Sequence, residues 1–263
     1  MYDLRAVLCG TALFDKFLLQ DIISNVMISC KQDSEQRTSG KIVVSNKIFR
    51  VFGGYCLLRE LEKNGLSVQN LRELSYKSKM GRSLVNSLRK FDRVEMFKEL
   101  CEMIRFYQEA DILDLVDLDY RIKSEDSCIR KYNKFYPDMR LEKVFNDILG
   151  FRMLTDNYKS LLEGEIPEEV RVVDMSHGKA NDDGYRGVHI YFQPDHSYYP
   201  IEIQANTYYD RQLNNWLHKY LYKREYPDIV GRILRSEYES GKILSEQQFE
   251  EVLSYVLSHS ERI

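Results

Sequence analysis

DDGYRGVHIYF, residues 182 to 192, runs an acidic, glycine-hinged turn straight into a strand. From Gly187 onward Val188, Ile190 and Phe192 point one way while His189 and Tyr191 point the other, the period-two pattern of a strand with one buried face. A core strand has no need of Tyr185 and Arg186 at its mouth. An aromatic ring beside a guanidinium is what a loop needs to hold a planar base near phosphates. Local packing of the tyrosine within the turn is the other reading of the same residues.

Working outward, FRMLT (151 to 155), VRVVDM (170 to 175) and YPIEIQA (199 to 205) join GVHIYFQ (187 to 193) as predicted strands. Helical stretches at 124 to 148, 156 to 163 and 207 to 224 accompany them. This is an α+β pattern, a mixed sheet with helices against it. Upstream, residues 3 to about 29 keep Phe14, Phe17, Leu18, Ile22 and Met27 at helical spacing, and the polar run KQDSEQRTSGK (31 to 41) reads as a loop. Residues 67 to 91 read as two short helices around Met80-Gly81 with Ser67 as a cap, a pair of the kind found in scaffolds and in helix-turn-helix modules. A further helix is expected from 95 to 110. The chain therefore divides into a helical N-terminal region, 1 to 92, and a sheet-containing domain, 93 to 263, that ends in helices.

Charged residues make up 30% of the chain and the net charge is -3, so no overall field draws it to nucleic acid. The five cysteines form no C-x-x-C pair and read as reduced packing thiols. Asp3, Arg5 and Asp15 interrupt the apolar N-terminus, which fits neither a signal peptide nor a membrane span, and a cytoplasmic location is expected.

Three stretches carry candidate chemistry. On YPIEIQA, Ile201 and Ile203 share one face, so Glu202 and Gln204 share the other. Asp147 and Arg152 lie in NDILGFRML, and two carboxylates converging over one sheet face offer hard oxygen ligands to a divalent cation. A structural salt bridge is the alternative. In YRIKSEDSCIRKY (120 to 132), Arg121, Lys123, Ser124, Arg130 and Lys131 are expected to open a helix and to suit a polyphosphate; a solvated basic face is the alternative.

The joint order of these motifs resembles the synthetase domain of the RelA/SpoT family, the pyrophosphokinases that make (p)ppGpp. The residues that carry the resemblance are Arg121-Ile122-Lys123-Ser124, Asp147 to Arg152, Gly184 to His189, Glu202 to Thr207, and His218 with Tyr222-Lys223. It covers about 120 to 225. The resemblance implies a nucleotidyltransferase-like mixed sheet and transfer of the β,γ-pyrophosphate of ATP to the 3′-hydroxyl of a purine nucleotide, GDP or GTP. It implies that Asp147 and Glu202 hold Mg²⁺ and that Glu202 helps deprotonate the attacking hydroxyl. Arg121 and Arg152 would sandwich adenine, and Lys123, Ser124 and Lys131 would meet the ATP phosphates. Tyr185 would stack on the acceptor base, with Lys179, Arg186, His189, Gln204, Arg211 and His218 on the acceptor side.

The chain departs from the family pattern in the loop HGKANDDGYR (177 to 186), where Asp182 and Asp183 would repel an acceptor phosphate. In YYDRQLNNWLHKY (208 to 220), Arg211 stands where the family commonly has an asparagine that helps read guanine, and Leu217 where a glutamate precedes the histidine. Trp216, with Leu213, Tyr220 and Leu221, reads as core. These changes resemble the toxic small members of the family, some of which make the adenosine alarmone and some of which pyrophosphorylate the 3′-CCA end of tRNA. That reading adds tRNA and an antitoxin protein as partners, with Lys77, Lys79, Arg82, Arg89 and Lys90 as a tRNA-facing patch. A non-catalytic nucleotide-binding regulatory module is a third possibility, though such a module would not need both carboxylates.

Overall fold

The computed structural model describes residues 57–163, 166–222, 224 and 226–259, all within a unit spanning Phe49–Ile263. The helix and loop expected between 3 and 41 lie outside the described residues. Five strands form one sheet in the order β1-β2-β5-β4-β3, with β1 Asp119–Ile122, β2 Leu149–Leu154, β3 Val170–Asp174, β4 Val188–Phe192 and β5 Ile201–Asn206. β2 and β5 run parallel and the other neighbours antiparallel, so the sheet is mixed, as the sequence pattern implied.

Register decides which residues share a face. Phe151, Ile190 and Ile203 line up across the strands and are fully buried, as are Val188 and Ala205. This side packs in one apolar cluster with α1 (Val68–Glu73) and α2 (Arg93–Gln108), which contributes Met96, Leu100, Met103 and Tyr107 at helical spacing. The Asp92 side chain caps α2 by accepting from the Glu95 amide at 2.9 Å. Buried Glu99 on the same helix accepts from Ser78 Oγ at 2.8 Å, the Lys79 amide at 2.6 Å and Tyr199 Oη at 2.8 Å, fastening residues 78–79 to the core.

Three local expectations are corrected. Ser67 caps α1, but no second helix follows Gly81: residues 74–87 run irregularly to a single 3₁₀ turn at Leu88–Lys90. Their amides pair elsewhere, Ser78 to the Ser197 carbonyl and Leu84 to the His196 carbonyl, each at 2.8 Å, so tertiary pairing overrides local propensity and no helix-turn-helix forms. Arg121 opens no helix; it lies on edge strand β1, and Ser124 is the N-cap of α3 (Glu125–Phe135). The helix expected across 124 to 148 ends at Phe135 because Pro137 drives Tyr136 to an extended backbone. The short helix α4 (Leu141–Val144) follows, and Asp147 sits in the turn before β2.

Beyond the short helix α5 (Lys159–Leu162) and the sheet come α6 (Tyr208–Tyr220), α7 (Asp228–Glu239) and α8 (Glu246–His259). They share a second apolar cluster of Leu213, Trp216, Leu217, Val230, Leu234 and Phe249 among others. Trp216 is 8% exposed and packs edge-on against Tyr238, a core residue as expected. Among the described residues no helix is long and apolar enough to cross a membrane, and Cys101 and Cys128 are free thiols.

Candidate active site

The face opposite the main core carries the chemistry, and the strand register sets it out in two rows. Arg171, Tyr191, Glu202, Gly150 and Arg121 are successive cross-strand partners. Two residues along, Val173, His189, Gln204, Arg152 and Asp119 form the next row. Six residues that the sequence singled out, Arg121, Lys123, Asp147, Arg152, Glu202 and Gln204, line one cleft on this face. Gly150 contributes floor only: a Cβ there would stand 3.7 Å from Glu202 Oε2, against the carboxylate.

Asp147 is tied to Lys123 and, at 3.0 Å, to Lys131, whose ammonium also reaches Asn146 at 3.3 Å. Burial pushes the Asp147 carboxyl up, but Lys131 and Lys123 outweigh it and hold it below its ordinary value. Glu202 is 7% exposed and accepts from Gln204 Nε2 at 2.9 Å, Tyr191 Oη at 3.0 Å and His189 Nδ1 at 3.0 Å. Burial raises its carboxyl, as does the charge of Asp147, yet the hydrogen bonds from His189 and Tyr191 help leave it below its ordinary value. Two carboxylates that influence each other and remain ionised fit a small hard cation. Among the described residues no group of three His, Cys, Asp or Glu is arranged to hold an ion unaided. Mg²⁺ commonly takes one or two carboxylates and completes its shell with phosphate and water, so the donor set fits.

Ser124 is exposed and its hydroxyl lies 2.9 Å from that of Ser127, while Glu125 and Asp126 occupy the first turn of α3. Arg121 is also exposed.

Tyr185 is half-buried at the mouth of β4. Its hydroxyl meets His189 Nε2 at 2.8 Å and accepts from Asn206 at 3.4 Å; burial pushes its pKa up to about 12, so it stays a donor at neutral pH. With the imidazole proton on Nδ1, the bonds run Tyr185 to His189 to Glu202 in one direction. The Lys179 ammonium lies 5.0 Å from the Tyr185 ring centre.

The repulsion expected from Asp182 and Asp183 is offset within the loop itself. Arg186 holds Asp182 through two bonds of 2.7 and 3.0 Å, and Lys179 holds Asp183 at 2.6 Å. Arg211 on α6 donates to the Met153 carbonyl at 3.2 Å; burial and the neighbouring Arg152 charge hold its guanidinium below its ordinary value. His218 lies on the same helix with its ring 6.4 Å from that of Tyr222. In the basic segment, Lys79 pairs with Glu102 and Arg89 with Asp138, while Lys77 lies over the Tyr198 ring.

Several site residues were not singled out as such from the sequence. Tyr191 was legible as a neighbour of His189 by alternation. Asp210, Asn206 and Arg235 had no motif to mark them.

No family model matches the chain, and no curated protein matches it by sequence. Among solved structures it resembles small alarmone synthetase 1 from Bacillus subtilis bound to its product pppGpp, at 15% identity and TM-score 0.33 over 64% of this chain and 90% of that one. Small alarmone synthetase 2 from Bacillus subtilis matches at 19% identity and TM-score 0.34 over 66% and 95%. A GTP pyrophosphokinase family protein from Streptococcus pneumoniae matches at 18% identity and TM-score 0.32 over 64% and 89%. The sequence motifs resemble the same family of synthetases.

Proposed function

We propose that the protein is an ATP-dependent pyrophosphokinase that transfers the β,γ-pyrophosphate of ATP to the 3′-hydroxyl of a free purine nucleotide. The observation that supports this most is the convergence of Asp147 and Glu202 on one cleft whose two flanks differ in kind. On one side it is lined by Arg121, Lys123 and Arg152, with Lys131 behind Asp147; on the other by Gln204, beside which His189 and then Tyr185 follow on the neighbouring strand and its turn.

In the reaction the 3′-oxygen of the acceptor bonds to the β-phosphorus of ATP, the bond from that phosphorus to the α,β-bridging oxygen breaks, and AMP leaves with the electron pair. Glu202 would take the hydroxyl proton, its carboxylate held by Tyr191, His189 and Gln204. Lys123 and Lys131 neutralise Asp147 and would meet the phosphate oxygens of ATP. Arg121 and Arg152, one on each of two paired strands, suit the two faces of adenine, because a guanidinium is planar and stacks. Asp147 and Glu202 would hold Mg²⁺, whose charge, when bound, offsets that of the phosphates. The protein's task is in-line placement and charge neutralisation.

The internal pairing of Asp182 and Asp183 suits any acceptor that carries phosphates, since the loop then presents little uncompensated negative charge to them. The pairing of Lys79 with Glu102 and of Arg89 with Asp138 supports a free nucleotide over tRNA, because it lowers the free positive charge of the 77 to 90 segment. The test is to incubate the protein with γ-labelled ATP and, separately, GDP, GTP, AMP, ADP or deacylated tRNA. Label in a mononucleotide is expected. Label in tRNA alone would replace the free-nucleotide reading, and no transfer to any acceptor would overturn the activity.

A further inference from the structure

The turn that carries Tyr185 is not held by the sheet alone. Met175 and Gly187 exchange backbone bonds of 2.9 and 3.2 Å at its base, and above them no further backbone pairing to the sheet is made by residues 182–186 among the described residues. There α7 packs against the turn. Gly184, at φ 86°, and Gly231 meet backbone to backbone: a Cβ on Gly184 would stand 2.3 Å from the Gly231 oxygen, and a Cβ on Gly231 would stand 1.9 Å from the Asp183 oxygen.

One helical turn further, Arg235 closes the contact. Its side chain is 1% exposed, and Nε donates to the Gly184 carbonyl at 2.8 Å, the peptide group immediately before Tyr185. Its other nitrogens reach Asp210 at 2.7 Å and Asn214 at 3.3 Å, both on α6. Asn214 and Asn206 donate in turn to the Arg186 carbonyl at 2.7 and 2.8 Å. The carbonyls on both sides of Tyr185 are thus anchored to groups outside the turn. Stability does not call for a guanidinium here, because a buried ion pair is often matched or bettered by apolar side chains of similar volume. An apolar residue would pack against Leu234 and Tyr238 but would leave the Gly184 carbonyl without this anchor.

We propose that Arg235 and Gly231 are positioning residues for acceptor recognition: they fix the height and tilt of the Tyr185 ring over the cleft, and with it the reach of its hydroxyl to His189. This rests on the pyrophosphokinase reading for the identity of the ligand. The hydrogen bonds and ion pairs of Arg235 go to Gly184, Asp210, Asn214 and Glu239, so the device is expected to act on the acceptor.

The test uses Gly231→Ala and Arg235→Lys in the full chain. Alanine is the better helix former, so Gly231→Ala keeps α7 while its Cβ displaces the Asp183 carbonyl. Arg235→Lys keeps a charge opposite Asp210 and loses the planar fork that serves three acceptors at once. Amide exchange of residues 182–187 is measured beside calorimetric binding of GDP, ADP and AMPCPP, an ATP analogue whose α,β bond does not transfer. In both variants exchange should accelerate, and affinity for the purine diphosphate that the wild type binds should fall about tenfold, as expected when a site loses preorganisation. AMPCPP affinity should stay within about twofold of wild type if donor and acceptor sites are independent. Unchanged exchange and diphosphate affinity in folded Gly231→Ala, or an equal loss for AMPCPP, would overturn the proposal. Wild-type protein that binds both nucleotides but transfers nothing would count against the pyrophosphokinase reading alone, since the binding and exchange arms still decide the role of Arg235.

Discussion

Arg152 lines the cleft and Tyr185 stands one strand away from it, against His189, yet they are held by different parts of the molecule. Arg152 lies within β2, paired on both sides by β1 and β5, with Phe151 and Met153 beside it in the larger apolar cluster. Tyr185 lies on a turn whose outer anchors, Gly231 and Arg235, belong to the helices of the smaller cluster. A strand buried on one face opens only with its sheet, whereas a turn moves when a few anchors are lost. Arg152 is therefore rigid by construction, and the proposed acceptor flank is adjustable through groups that touch no substrate.

The largest expected effect lies at the seam between the flanks. Asp147→Asn and Glu202→Gln each remove a charge at nearly constant shape, and each should lower transfer by about 10² or more while far-UV circular dichroism stays that of the wild type. Full turnover in either variant at saturating Mg²⁺ would remove the two-carboxylate site. Next comes the donor flank. Arg121→Ala or Arg152→Ala should weaken AMPCPP binding by about tenfold, in the range of a desolvated cation-π contact, with Lys at either position restoring little and GDP binding unaffected. An Arg152→Lys protein with wild-type AMPCPP affinity would break the sandwich.

On the acceptor flank, Tyr185→Ala should cost about 1–3 kcal/mol of nucleotide acceptor binding, the range of one base stacked on an aromatic ring, and leave AMPCPP binding intact. Tyr185→Phe keeps the ring and loses the bond to His189, so its loss should be about 1 kcal/mol. Equal losses for Ala and Phe would assign the hydroxyl, not the ring, as the working part.

The smallest effect is acid dependence of the same turn. The Arg186 hydrogen bonds lower the Asp182 carboxyl, burial opposes them, and the Gly184 amide adds to the lowering. A group whose folded pKa is depressed adds stability that is complete above its unfolded pKa, about 3.9, and disappears as pH falls through the folded value. Asp182→Asn should therefore lower the thermal midpoint slightly at neutral pH and flatten its fall in acid. An acid limb identical to that of the wild type would show that the Arg186 pair contributes nothing to the turn.

The alternation of Val188, Ile190 and Phe192, and of Ile201 and Ile203, was enough to assign strands and to put His189, Tyr191, Glu202 and Gln204 on the open face. That follows from the two-residue period of an extended chain, which a sequence displays directly. The cleft members from Asp147 to Arg152 were legible as a motif because they lie close together along the chain. Strand β1 was not legible: Asp119 to Ile122 is exposed for most of its length, and its place is set by pairing with β2, as the path of residues 74–87 is set by pairing with 195–199. Nor did any pattern show that Arg186 and Lys179 would neutralise Asp182 and Asp183, or that Arg235 would reach Gly184 from 51 residues away. Periodicity and local motifs record what one segment does with its own side chains. Ion pairs and anchors between segments depend on how the segments cross, and that was decided only when α6 and α7 packed over the mouth of β4.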